Sequence, residues 1–515
     1  MHIDSDHKQF DPSPDGTPAS DSTLNSALMG FSVGSPDALR KLEEGAFWLE
    51  AYRQGVKGEP LRTFQVVDRI DTLMQPYRLE VTREYLGSGG RQTTYRERRI
   101  WHSVVQFAQE LASGYETCLQ MFQSAAVDSQ PMAPLMPTVT ARAIRALTLV
   151  LRWNLLRYAA AEPAVWTRMS ALYAFADRER FVSERFKVYR DMQGDSTVRR
   201  EYLRALILSV SGMENMLPAS QVVAERVIAN VAEFFLLHRR PSEGCHFGVD
   251  LLAARPPYRV GEGMSPTPTV RFFGPGDAGM MVERLMQRTA ETGAVPDEFK
   301  LVGEFHPGTV HEVLQHLSRQ WGPHPPSRAE MRQRVLSTLN VAHGLDLVLR
   351  AVSADPAGSE LDEITEAWTV ENESSGGFGA ALPARDGDWL AIGMLVASKP
   401  TWPAAWSVGV IRRLSTDTTG RRVVGVQILA RGGIAVELTP MPVTGQARPL
   451  LGVLLPTEEQ THIGGEVTLV LPRASISWSV TYALRVHGRN YVITPLRSLD
   501  SGDDFDSVSF SIEPA

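Results

Sequence analysis

The sequence predicts an α+β multidomain protein: an N-terminal all-α region, a small α/β connector and a C-terminal antiparallel β-barrel with extra β-strands. Three observations predict this. Across the front half, apolar residues recur three and four apart, the period of an amphipathic helix. After residue 328 the chain breaks into short apolar runs divided by Gly, Pro and Asp, the texture of a small barrel or sandwich. The chain has 515 residues, 43% of them apolar, enough material for separate buried cores.

Residues 1–36 are rich in Asp, Ser, Pro and Gly, and are expected to be a disordered tail. They hold no apolar run of the length a signal peptide needs. Residues 37–243 are expected to be helical. In SPDALRKLEEGAFWLEAY, Ser35 is a candidate N-cap, Pro36 suits the first helical position, and Leu39, Leu42, Phe47 and Leu49 supply apolar positions. RERRIWHSVVQFAQELASGYETCLQMFQ, TARAIRALTLVLRWNLLRYAAA and SQVVAERVIANVAEFFLLHR keep the same period. Pro163, Pro218 and the run PMAPLMP punctuate them. Arg178, Arg180, Arg185, Arg199 and Arg200 read as solvated helix faces. The most apolar helix is interrupted by Arg152 and Arg157, so no membrane span is expected.

Residues 244–325 change texture. HFGVDLLA and TVRFF read as strands, AGMMVERLMQRTAET and TVHEVLQHLSRQW as helices, together forming the connector. Residues 326–440 then read as a barrel, with 441–515 as a β extension or a second small barrel. Its strands include WLAIGMLVAS, AWSVGVIRRL, RRVVGVQILA, GIAVELTPM, GEVTLVLPR, SWSVTYALRVHG and RNYVITPLR; GLDLVLRAVSA reads as an intervening helix.

The formal net charge of -7 argues against a general binder of DNA or RNA, which needs a strongly basic face. A local arginine cluster can still hold a small anion. The two cysteines, Cys118 and Cys245, show no CxxC pairing and read as free buried thiols of a cytoplasmic protein.

The residues that carry chemistry open the β region. PPSRAEMRQRV places Arg328 and Arg332 four apart, with Arg334 close behind. WTVENESSGGFG then offers Asn372, Ser374 and Gly377 in the order N-x-S-x-x-G. These types suit a guanine nucleotide. An arginine fork donates to guanine O6 and N7 or grips a phosphate. Asn and Ser serve the remaining base edge, and glycine lets the backbone come close.

This arrangement resembles the PilZ domain: an R-x-x-x-R segment, a (D/N)-x-S-x-x-G loop, a strand like Trp406 to Arg412, and a G-V-x-φ strand (φ apolar) at Gly425 to Ile428. The resemblance spans about residues 328–431. It implies a PilZ-like β-barrel that binds cyclic di-GMP, with no other cofactor, and passes the signal to a protein partner through the helical region. It further implies that Arg328 and Arg332 clasp guanine and phosphate, with Arg334 beside them, and that Asn372, Ser374 and Gly377 line the barrel side. The sequence departs from the compact pattern in the long stretch between Arg332 and Asn372. The alternative is an interaction scaffold whose degenerate barrel binds no nucleotide.

Other signals carry less. Gly274, Gly276 and Gly279 follow a G-x-G-x-x-G order, but the surrounding βαβ series is missing, and Asp277 reads as a helix N-cap after a Pro-Gly turn. An enzyme using this segment would need a parallel sheet. In HEVLQH, His311 and His316 stand five apart and cannot share a helix face as zinc ligands do; no metal site is expected there, and His306 adds none. Ser374 and Ser375 lie in no nucleophile elbow, so no catalytic residue is expected. Trp402 and Trp406 read as barrel packing.

Overall fold

The computed structural model describes residues 37–55, 60–87, 94–124, 130–190, 192, 194–261, 267–295, 297, 305–324, 333–353, 365–382, 390–400, 405–417, 421–441, 449–456, 465–486, 488–502 and 504–515. The expected tail, with Ser35 and Pro36, lies outside them, as do Arg328, Arg332 and Trp402. The described residues contain ten α-helices and two closed six-stranded antiparallel barrels, the helices-then-barrels architecture the sequence predicts. No helix among them is long and apolar enough to cross a membrane. They fall into two compact units. One comprises residues up to Trp153, Ala161–Ile207 and Val231–Gly274; the other comprises Asn154–Ala160, Leu208–Asn230 and Pro275–Ala515. The division passes through the segment read as a connector.

In the first unit, helices α1 (Ala38–Gly55), α2 (Pro60–Gly87) and α3 (Thr94–Ser124) pack on one another. The α1 chain starts where Asp37 Oδ1 accepts the Leu39 N–H at 3.0 Å. Leu39, Leu42, Ala46 and Leu49 form its buried stripe. Phe47, expected on that stripe, is 57% exposed: it follows Ala46 and so lies about 100° round the helix. Helices α4 (Met136–Leu156), α5 (Pro163–Arg178) and α6 (Val198–Val210) add Trp153, Trp166 and Tyr202 to the core.

This core is not purely apolar. Asp71 is buried and accepts from Tyr115 Oη at 2.8 Å and Tyr189 Oη at 2.9 Å, with Arg78 paired to it at 3.2 Å. Arg142 donates to the Val188 carbonyl at 2.7 Å and to Tyr115 Oη at 3.2 Å, and pairs with Asp68. Its guanidinium stacks over the Tyr189 ring at 4.5 Å. The network ties Val188 and Tyr189 to three helices. It also shows where arginines of the front half do more than face solvent. Arg178, Arg180 and Arg185 are exposed, but Arg199 and Arg200 are half-buried. Arg199 donates to the Phe235 carbonyl at 3.3 Å, and Arg200 pairs with Glu233 at 3.7 Å. A solvated face does not describe these two.

Strands β1 (Leu236–His238), β2 (Phe247–Asp250), β3 (Tyr258–Arg259) and β4 (Val270–Gly274) form a sheet in the order β1-β4-β2-β3, every pair antiparallel. Gly274–Gly279 therefore sits where an antiparallel strand ends and a helix begins, not in a parallel βαβ unit. The N-cap of that helix is Gly276; Asp277 is its first residue, where its charge suits the helix dipole. Cys118 is buried as expected, whereas Cys245 is only half-buried.

The second unit holds helices α7 (Pro218–Val231), α8 (Asp277–Thr292) and α9 (Pro307–Trp321) and both barrels. The first barrel closes in the order β10-β7-β6-β5-β8-β9. Its strands are β5 (Gln333–His343), β6 (Glu366–Ser374), β7 (Gly377–Leu382), β8 (Leu395–Pro400), β9 (Ser407–Thr416) and β10 (Arg422–Arg431). Alternation sends Trp368, Val370, Phe378, Ala380, Val424 and Val426 inward. The strand expected over WLAIGMLVAS begins only at Leu395. Leu390 and Ile392 enter the core from an unpaired segment, their alternation set by burial without a ladder.

The second barrel closes in the order β11-β12-β13-β16-β15-β14. It runs from β11 (Ile434–Met441) through β12 (Leu450–Leu455), β13 (Gly465–Pro472), β14 (Thr481–Val486) and β15 (Arg489–Ser501) to β16 (Phe505–Pro514). Of SWSVTYALRVHG only Thr481–Val486 is strand, and Trp478 before it is 54% exposed. Helix α10 (Leu345–Ser353) shares one apolar cluster with both barrels. Leu345, Val348 and Ala351 meet Leu395, Trp406 and Val408 of the first and Val453, Val470 and Phe505 of the second. Trp406 is thus a packing residue, and the Lys399 ammonium sits 4.7 Å over its ring.

Candidate functional site

A cavity of about 730 Å³ opens on the outer face of the first barrel over β6, β7, β10 and β9. That is within the range of small-molecule sites, roughly 300–1,000 Å³. Its floor follows from strand register. Arg334 on β5 pairs with Asn372 on β6, Asn372 with Gly379 on β7, Gly379 with Gly425 on β10, and Gly425 with Arg413 on β9. One row of directly opposed residues therefore reads Arg-Asn-Gly-Gly-Arg across five strands. Opposed residues point to one side of a sheet. At about 4.8 Å per strand, Asn372 and Arg413 stand about 14 Å apart with bare backbone between them. The neighbouring row adds Ser374, Gly377 and Gln427.

Two bulges aim the polar residues of this row. Between Val370 and Asn372 the β6 strand carries one extra residue, Glu371, against β7. Without it Asn372 would share the inward parity of Val370. Between Ile411 and Arg413 the β9 strand carries Arg412 as an extra residue against β10. As a result Arg412 and Arg413, adjacent in sequence, both line the cavity. Contact requires one of the glycines and only crowds the other. A Cβ on Gly377 would lie 2.2 Å from the Val426 carbonyl oxygen, and one on Gly425 would meet Arg413 Cβ at 3.2 Å.

The two arginines differ in commitment. Arg412 Nε donates to Gln427 Oε1 at 2.9 Å, and its terminal nitrogens pair with Asp500 of the second barrel. Arg413 is exposed and meets no carboxylate among the described residues. Ser374 Oγ donates to the Gly377 carbonyl at 3.3 Å, and Arg431 donates to the Ser375 carbonyl at 3.2 Å, which fixes the turn between β6 and β7.

The helical part of the same unit also contributes to the cavity, through a turn that packs against β9. Glu214 and Asn215, in the 3₁₀ turn Met213–Asn215, and Gln320 of α9 also line the cavity. This turn is anchored from several sides. Trp321 Nε1 donates to Ser211 Oγ and His316 Nε2 to the Ser211 carbonyl, both at 2.9 Å; a carbonyl can only accept, so Nε2 carries the proton. Gln221 Nε2 donates to the Met213 carbonyl at 3.0 Å, and Tyr158 Oη to the Met216 carbonyl at 3.1 Å. Tyr158 itself packs in the core of the first barrel. Burial pushes the His316 pKa below its usual range, keeping the ring neutral as this anchor.

His311 contacts the Met286 carbonyl at 3.3 Å, away from His316, while His306 caps α9 by accepting the Gly308 N–H at 3.2 Å. No group of three or more His, Cys, Asp or Glu gathers for a metal among the described residues.

Residues 35–242 match the family model described as "Cyclic-di-GMP receptor FimW, N-terminal domain". No curated protein matches the chain. The match covers about two fifths of the sequence and lies wholly before the barrels. It supports a cyclic di-GMP receptor family for a chain whose PilZ resemblance rests on other residues.

Of the residues singled out in the sequence, Asn372, Ser374 and Gly377 line one cavity. Arg334 is exposed at the end of the row, opposite Asn372. Arg328 and Arg332 lie outside the described residues. Sequence reasoning missed Arg412, Arg413, Gln427 and Glu214. A signal for two of them was present: AWSVGVIRRL puts paired arginines at the end of an alternating strand, where alternation alone would bury one.

Proposed function

We propose that the protein is a non-enzymatic receptor for cyclic di-GMP, bound on the outer wall of the first barrel. The observation that carries the reading is the row Arg334, Asn372, Gly379, Gly425, Arg413. Bare glycine backbone lets a flat purine lie against the sheet, and arginines at either end suit guanine O6 and N7 or a phosphate. Asn372, Ser374 and Gly377 take the roles the PilZ resemblance implies. Arg328 and Arg332 take the guanine- and phosphate-clasping roles that the same resemblance implies. The family match over 35–242 supports the same ligand from an independent part of the chain. Ligand binding is then relayed to a protein partner through the helical region, by differential affinity for two states of the protein. Two free thiols suit a reducing compartment, and the cytoplasm is the proposed location.

Titration calorimetry of the full chain with cyclic di-GMP tests the reading. Wild type should release or absorb heat with saturable binding, while Arg413→Ala and Asn372→Ala should each weaken it at least tenfold. Wild type without binding ends the proposal. One observation favours the alternative of a nucleotide-free interaction scaffold: Arg412 is already engaged by Asp500 and Gln427. On that reading neither variant alters any ligand affinity, and both alter capture of the partner.

A further inference from the structure

We infer that Glu214 reads the base, its carboxylate accepting the N1–H and N2–H donors of a guanine that lies on the glycine floor. This rests on the cyclic di-GMP reading and adds to it a specificity residue from outside the barrel.

Glu214 is the one carboxylate among the described residues that line the cavity. It is half-buried and accepts no hydrogen bond among the described residues. A carboxylate facing a ligand with two phosphates repels it unless the ligand offers hydrogen-bond donors in return. Guanine offers two side by side, N1–H and the exocyclic N2 amine, matched to the two oxygens of a carboxylate. Adenine places a lone pair at N1, which the same carboxylate rejects. The opposite edge of guanine, N7 and O6, asks for an arginine, and Arg413 lines the same cavity. One cavity thus offers an acceptor for one edge of a guanine and a donor for the other.

Placement supports the role. A specificity residue works when its position is fixed before the ligand arrives. The turn that carries Glu214 is held by Trp321, His316, Gln221 and Tyr158. Gly212, which opens the turn, has φ 62°, and a Cβ there would approach Gln320 at 2.9 Å, so the turn is fitted closely to α9.

The test is a cycle between protein and ligand. Cyclic di-GMP and its bis-inosine analogue, which lacks the N2 amines, are titrated into the full-length wild type and Glu214→Gln. Wild type should bind the inosine analogue about tenfold or more weakly than cyclic di-GMP, the effect of losing a hydrogen bond to a charged acceptor. Glu214→Gln should bind cyclic di-GMP at least about tenfold more weakly than wild type, and should no longer distinguish the two ligands. A Glu214→Gln protein that binds cyclic di-GMP as well as wild type or better overturns the inference, because removing a merely repulsive charge tightens binding. So does an undiminished guanine-to-inosine ratio. Either result leaves the receptor reading intact, whereas wild type that binds no cyclic di-GMP removes both. Glu214→Asp, which keeps the charge and shortens its reach, should lose affinity as Glu214→Gln does, and its thermal midpoint should match wild type.

Discussion

Arg412 of the first barrel and Asp500 of the second form an ion pair at the edge of the cavity, while the adjacent Arg413 has no such partner among the described residues. The bulge at Arg412 turns both side chains to one face, yet only one is committed. The two positions should therefore respond in opposite directions. Asp500→Asn releases Arg412 toward the cavity and should raise cyclic di-GMP affinity by a few-fold at low salt. The pair is partly exposed, so stability should fall by less than about 1 kcal/mol. Arg413→Ala should cost at least tenfold in affinity at unchanged stability. Calorimetry and urea denaturation read the two quantities.

The glycines separate fold from binding. A Cβ at Gly377 would strike the Val426 backbone oxygen, which belongs to the ladder and cannot yield cheaply. Gly377→Ala should cost about 1–3 kcal/mol in the denaturant midpoint. At Gly425 a Cβ meets only Arg413 Cβ at 3.2 Å. Gly425→Val should fold with less than about 1 kcal/mol lost, but should fill the bare centre of the row and weaken cyclic di-GMP binding at least tenfold.

What was legible in the sequence follows the range of the interactions. Asn372, Ser374 and Gly377 form a local motif around one turn, so the chain order carries them. The helices of the front half declare themselves by a period of three to four, except at Phe47, where one residue of phase decides exposure. Arg413 was hidden because a bulge breaks the two-residue alternation, and no composition rule locates a bulge. Glu214 was hidden for another reason: it reaches the cavity only through tertiary anchors such as Tyr158 and His316. The buried network of Asp71, Tyr115 and Arg142 has no sequence signature, since helical spacing places a residue on a face without saying what that face meets.

Acid should loosen the helical unit through Glu201. Burial alone would raise its pKa, but the charges of Arg204 and Arg145 outweigh that and bring it from 4.5 down to about 2. Its hydrogen bonds with Arg145, at 2.6 Å, and from Ser196, at 2.5 Å, favour the ionised form as well. Because the folded value lies below the unfolded one, the stabilisation is complete above about pH 4.5. It is lost progressively as pH falls toward 2, and amounts to roughly 3 kcal/mol. Glu201→Gln should remove this pH dependence and destabilise the protein near neutrality, because Arg145 and Arg204 are then left without their anion. Urea midpoints measured between pH 3 and 7 for both proteins check the sign.

The two thiols should differ in reactivity by their surroundings. Cys118 is buried in α3, its Sγ donating to the Gly114 carbonyl at 3.2 Å, and burial pushes its pKa up to about 12. At pH 8 almost none of it is thiolate, the reactive species, and reagent reaches it only when the helices part. Cys245 is half-buried near Ser242 Oγ at 3.2 Å, and burial raises its pKa too, but its partial exposure lets reagent reach it. A thiol reagent under native conditions should therefore label one cysteine per chain, identified as Cys245 by peptide mapping. The second should be labelled only in urea, with a midpoint that tracks unfolding of the helical unit. Rapid labelling of Cys118 in the native protein would contradict the packing of α1, α2 and α3 described above. Cyclic di-GMP should leave the Cys118 rate unchanged unless binding on the barrel alters the opening of those helices, so the same assay also measures the proposed relay.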